Sequence, residues 1–188
     1  RQMELESLAA ELGRANATTL QKAVSAVASL RTVDACLDED MLRRQPAPPV
    51  QGREAIRDVR ARLSRAQSLE MAGNFKESLA AATQAREQAA EIDWPPILAA
   101  ARVVEGILLE KAGAFAEAEA ASTKAYFEAS RAGAWDVAAN GAIDLIYIVG
   151  HKQARHAEGR AWAQHAEMAL VHAGDRAGLS EAQRLNNL

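Results

Sequence analysis

The sequence predicts an all-α fold: a helical-hairpin repeat solenoid behind a non-repeat N-terminal helical segment. Three observations predict it. Met71-Ala-Gly-Asn-Phe-Lys-Glu-Ser78, Lys111-Ala-Gly-Ala-Phe-Ala-Glu-Ala118 and Lys152-Gln-Ala-Arg-His-Ala-Glu-Gly159 nearly repeat one another, with Gly73 to Gly113 spanning 40 residues and Gly113 to Ala154 spanning 41. A fixed period of that size belongs to stacked helix pairs, none of which covers its apolar faces alone. Apolar residues make up 49% of the chain but aromatics only 4%, so alanine, the best helix former, carries the apolar share. No stretch alternates with period two for long enough to suggest a sheet.

Residues 1–50 do not carry the repeat. Met3, Leu5, Leu8, Ala9 and Leu12 fall at helical spacing with Gly13 as a stop, and Asn16 or Thr18 caps a second helix striped by Leu20, Val24, Val27 and Leu30. Asp38 opens a short turn through Met41 and Leu42. Gln45-Pro-Ala-Pro-Pro-Val50 then breaks helix as a linker or sharp corner, because proline has no amide hydrogen and restricts its predecessor.

Residues 51–188 form the array: about three hairpins and a truncated fourth. The first runs Arg53–Ala72, turns at Gly73-Asn74 and returns as Phe75–Ile92. The second runs Pro95–Ala112, with Asp93 or Trp94 as N-cap and proline in the first turn, and returns as Phe115–Ala132. The third runs Trp135–Val149, turns near Gly150 to Arg155, and returns as His156–Ala173. Gly174-Asp175 repeats the stop-and-cap signal, and Leu179–Leu188 opens the fourth unit. The chain starts at Arg1 and stops inside a helical pattern, which reads as an excised fragment with an apolar face exposed at its cut end.

These residues resemble the tetratricopeptide repeat, whose small–Gly–aromatic–Ala–Ala ladder is matched by Gly106, Gly113, Phe115, Ala118 and Ala125. The resemblance covers roughly residues 53–188. It implies a right-handed superhelix in which Gly106 meets Ala118 and Ala66 meets Ser78, with Ala85 at the later small position. The period of 40 to 41 exceeds the family's 34, Ala154 and His156 replace Gly and the aromatic, and the third unit's counterpart of Gly106 is Tyr147. The preamble, its Cys-Leu-Asp stretch and the Pro-rich break further resemble the C-terminal repeat region of myxobacterial-type serine/threonine protein kinases. No kinase phosphate loop, His-Arg-Asp or Asp-Phe-Gly is present.

Chemistry is sparsely signalled, and no catalytic, cofactor or metal site is expected. His165 and His172 lie seven apart without a Cys or Glu-x-x-His partner, and read as packing or surface residues. Asp58 and Arg62 form a helix-surface pair by spacing. Arg53, Arg57 and Arg60 share one face, as a solvated stripe or a dock for an acidic or phosphorylated partner. Trp94 and Trp135 recur at one place in successive units, which reads as inter-hairpin packing. The net charge of −3 exerts no pull on nucleic acid or anionic membrane, and Cys36 as the one cysteine fits a buried thiol in a reducing cytoplasm. No apolar run approaches the ~20 residues of a membrane span.

The resemblance implies a partner groove lined by the first helices: Arg60, Leu63, Gln67 and Glu70, then Val103, Ile107 and Glu110. Leu63 and Val103 stand where the family's carboxylate clamp needs lysine. The expected function is a non-catalytic interaction scaffold, the substrate-docking or regulatory region of a larger bacterial signalling protein, binding a protein or peptide segment. The alternatives are a sensor that encloses a small effector and a module that self-associates through its exposed ends.

Overall fold

The computed structural model describes residues 2–13, 27, 39–174 and 179–187, and among these every regular element is helical. In chain order they are α1 (Gln2–Leu12), α2 (Glu39–Arg44), α3 (Arg53–Met71), α4 (Phe75–Ala90), α5 (Pro95–Lys111), α6 (Phe115–Arg131) and α7 (Trp135–Leu145), which runs on as a π-helix (Ile146–Lys152). Then come α8 (His156–Ala173) and α9 (Leu179–Asn186). The helix expected between Asn16 and Leu30 lies outside the described residues apart from Val27, as do Cys36 and Leu188.

Each helix from α3 to α8 packs against its neighbours in sequence, and the odd-numbered ones also touch, α3 with α5 and α5 with α7. α1 lies on α3 through Leu8, and α9 lies on α7 and α8. The core falls into two apolar clusters. One joins Ile56, Val59, Leu63 and Ala66 to Ala82, Ala85, Ile97 and Leu108, with Trp94 packed on it. The other joins Ala138, Ala142 and Ile143 to Tyr126, Ala166 and Leu170, with Trp135 and Trp162 packed on it. Alanine at so many fully buried positions removes side-chain bulk between helices, so backbones approach closely.

The turns recur with the sequence period. Gly73 donates to Glu70 O and Asn74 to Leu69 O, at 2.9 and 2.8 Å; Gly113 and Ala114 donate to Glu110 O and Leu109 O, both at 2.9 Å. This pair of bonds satisfies the last carbonyls of a helix and needs a left-handed residue, here with φ of 87° and 80°. Ala154 holds the same place in the third turn at φ 55°, although it carries a Cβ. The second helices keep register throughout: Ser78, Ala118 and Gly159 are buried, and so are Ala85, Ala125 and Ala166, each set spaced by 40 and then 41 residues.

The first helix of the third hairpin breaks register, which corrects two expectations. It does not stop at Val149 but continues to Lys152 through a π-helix, closed by Gln153 N–H to Ile148 O (3.1 Å) and Arg155 N–H to Val149 O (3.0 Å). It also brings Gly150, not Tyr147, against Gly159. A Cβ on Gly159 would lie 2.6 Å from the Gly150 Cα, so no residue larger than glycine fits this seam. Tyr147 instead stacks on His151 with ring centroids 5.2 Å apart. In the first hairpin the expected pair meets, Ser78 Oγ donating to Ala66 O at 2.7 Å; in the second a Cβ on Gly106 would lie 3.5 Å from Ala118 O but nearer, at 2.5 Å, to Ser122 Oγ.

Candidate functional site

Helices α3, α5 and α7 border a cavity of about 590 Å³. Of the seven residues expected to line a groove, it brings together Arg60, Leu63 and Gln67 from α3 with Val103 and Ile107 from α5. Glu70 and Glu110, one turn further on, are not in its wall. They bind lysines of the following unit: Lys111 Nζ lies 2.9 Å from Glu70 Oε1, and Lys152 Nζ lies 3.2 Å from Glu110 Oε1. This ion pair recurs between successive units, which gives the two acids a structural role.

The third wall was not foreseen. α7 contributes Asp136, Val137, Asn140, Ile143 and Asp144. The signal was available: Leu63 to Val103 is 40 residues, and a further step of 41 reaches Asp144. The ladder of first-helix positions thus ends in a carboxyl where the earlier units have aliphatic side chains. Asp144 Oδ2 is shut off from solvent and has no hydrogen-bond partner. Burial pushes this carboxyl up to about 8, the Glu110 carboxylate adding to the effect and the Lys111 ammonium opposing it. At neutral pH Asp144 is therefore largely protonated, a neutral acid beside an open cavity.

The remaining walls come from outside the three hairpins. Gln45 and Pro46, at the start of the Pro-rich break, lie along the cavity, and Gln45 Nε2 donates to Asp136 Oδ2 at 3.4 Å. Gln183 of α9 closes another side, and Asn187 Nδ2 donates to Ile143 O at 3.3 Å. The Pro-rich stretch is thus a strap across the groove's edge rather than a free linker. Arg60 sits over the Trp94 ring, 5.6 Å from its centroid, which holds its charge at one border of the cavity.

The singled-out histidines meet aromatic rings, and the arginines of α3 are surface residues. His165 Nδ1 lies 3.0 Å from the Tyr126 hydroxyl, and His172 stacks on Trp135 with centroids 4.4 Å apart. Arg62 donates to Gln84 Oε1 of α4 at 3.2 Å. Arg53, Arg57 and Arg60 are exposed. Among the described residues no helix is long and apolar enough to cross a membrane. No protein-family model, curated protein or solved structure matches this chain.

Proposed function

We propose that the chain is a non-catalytic interaction module, a tetratricopeptide-like stack of hairpins whose inner surface docks a segment of another protein. It would serve as the regulatory or substrate-docking region of a larger bacterial signalling protein, such as a serine/threonine kinase. One observation carries the reading: five side chains that the family resemblance assigns to a partner groove, on two different helices, line a single cavity. The direct contacts of α3 with α5 and of α5 with α7 support it, because they align first helices side by side as one continuous surface. The wall mixes aliphatic side chains (Leu63, Val103, Ile107) with amides and carboxyls (Gln67, Asn140, Asp144), which suits an extended segment that needs both burial and backbone partners.

The test is to select a phage-displayed decapeptide library against the folded chain and measure the enriched peptides on the Gln67→Ala/Ile107→Ala double variant. Their affinity should fall at least tenfold while the melting temperature stays within a few degrees. Unchanged affinity refutes the groove assignment. Enclosure of the cavity by Gln45, Pro46 and Gln183 favours a second reading, a sensor for a small effector. A metabolite thermal-shift screen checks it, since a ligand of the native state raises the melting temperature by mass action.

A further inference from the structure

We infer that the segment docked in this groove anchors itself with a basic side chain, a lysine ammonium or arginine guanidinium seated against Asp144. The inference rests on the docking reading above and names the chemistry of its occupant.

The charge inventory around the cavity carries it. Glu70 and Glu110 are already neutralised by Lys111 and Lys152. Arg60 is held against Trp94. What remains facing the cavity is Asp136, touched by the Gln45 amide at 3.4 Å, and Asp144, whose Oδ2 is buried and unpartnered. The other polar side chains of the wall are neutral, the amides of Gln67, Asn140 and Gln183 and the hydroxyl of Ser64. A buried oxygen without a partner is unfavourable, and a charged donor at the cavity-lining Asp144 carboxyl makes a hydrogen bond about twice as strong as a neutral one. The cavity, at about 590 Å³, has room for one long basic side chain and its flanking backbone.

A proton is coupled to this event. The charged groups acting on Asp144 are Glu110 and Lys111 from α5; Arg60 of α3 and Asp136 of α7 share the cavity wall, and Gln183 of α9 and Gln45 of the strap are neutral. With the site empty, burial keeps Asp144 protonated at neutral pH. An arriving cation favours the carboxylate and expels the proton, so docking tightens as pH rises toward and past 8. The lysine or arginine itself keeps its charge over this range.

The probe is the most enriched peptide from the display selection, resynthesised with each basic residue in turn replaced by norleucine. Affinities are measured by fluorescence anisotropy at pH 6 and pH 9 on the wild-type chain and on Asp144→Asn. One norleucine replacement should weaken binding to the wild type at least tenfold at pH 9 and have little effect on Asp144→Asn. The parent peptide should bind the wild type at least tenfold more tightly at pH 9 than at pH 6, and Asp144→Asn equally at both. If binding depends on Gln67 and Ile107 while every norleucine form binds like its parent, the cationic anchor is overturned and the groove stands. If enriched peptides ignore Gln67 and Ile107, or none is enriched, both fall. The norleucine comparison on the wild type decides the matter even if Asp144→Asn does not fold.

Discussion

Replacing Gly159 with alanine tests the least expected feature of the fold, the seam between α8 and the π-helix. The added Cβ would lie 2.6 Å from the Gly150 Cα and 3.1 Å from the Gly150 amide nitrogen. Ordinary contact begins near 3.4 Å, and the obstructing atoms are backbone, so the two helices must part locally by nearly an ångström. Overpacking of this kind costs about 1–3 kcal/mol or more, against about 1 kcal/mol gained from alanine's helix propensity. A net loss of about 1–2 kcal/mol lowers the melting temperature by roughly 2–8 °C in a chain of this size. Gly106→Ala is the control, since it makes the same change at the matching seam of the second hairpin. Its Cβ would meet Ser122 Oγ at 2.5 Å, but that hydroxyl has no hydrogen-bond partner and can rotate away. Gly106→Ala should therefore lie within about 1 kcal/mol of the wild type. Both are measured by urea unfolding followed by circular dichroism. A Gly159→Ala midpoint equal to or above that of Gly106→Ala refutes the Gly150–Gly159 seam, and with it the register of α7.

Ala154→Gly should stabilise the chain by about 0.5–1 kcal/mol, since Ala154 is exposed and held at φ 55°, a conformation glycine adopts without strain; a midpoint at or below wild type counts against that turn. Ser78→Ala should cost about 1 kcal/mol through its 2.7 Å bond to Ala66 O, whereas Ser122→Ala, removing a buried unpartnered hydroxyl, should be neutral or stabilising; the reverse order in a urea titration rejects the assignment. Asp144→Asn should change the pH dependence of stability. The native carboxyl, raised from 3.8 to about 8, keeps a proton that the unfolded chain loses near 4, so its contribution is complete below that value and is lost as pH rises through 8. The slope is about 1.4 kcal/mol per pH unit, which the variant should lack, so its urea midpoint should gain on wild type between pH 5 and pH 8.

Most of the helical plan was legible because it rests on local signals. Gly73 and Gly113 mark turns that require a left-handed residue, and Pro95 starts α5 where its missing amide hydrogen is harmless. The buried stripe Ser78, Ala82, Ala85 and Ala89 of α4 recurs in α6 at a fixed interval, so the period alone locates it. Two features were out of reach for a common reason: they depend on partners distant in sequence. A π-helix has no composition of its own, and only Gly159, across the seam, rules out Tyr147 and selects Gly150. The Pro-rich sequence predicts a linker or sharp corner, because it excludes helix without saying what it lies upon; the bond from Gln45 to Asp136 joins residues 91 apart. Asp144 was legible in the same way as the turns, since it stands 41 residues after Val103 as Val103 stands 40 after Leu63.

The π-helix and the groove acid are two answers to one packing problem. The second half of the third hairpin's first helix must present a residue without a side chain to Gly159, and Gly150 is the residue that does so. A regular α-helix could bring Gly150 to the place due to Tyr147 only by sliding the whole helix three residues. That is a shift of about 4.5 Å with a rotation of about 60°. Such a movement would carry Asp144 away from the position in line with Leu63 and Val103, and Asp136 away from Gln45. Confining the adjustment to a single wide stretch after Leu145 leaves the first half of the helix in register with the units before it. The same stretch ends at Lys152, which still reaches Glu110 and so preserves the ion pair that Lys111 makes with Glu70. The irregularity thus keeps the groove wall, the glycine seam and the inter-unit ion pair together. On this argument, a variant that restores α-helical geometry by deleting one residue between Leu145 and Gly150 should lose the Gly150–Gly159 contact. In hydrogen exchange it should expose the amides of α8 while those of α3 to α6 stay protected, and uniform loss of protection would count against the localised adjustment.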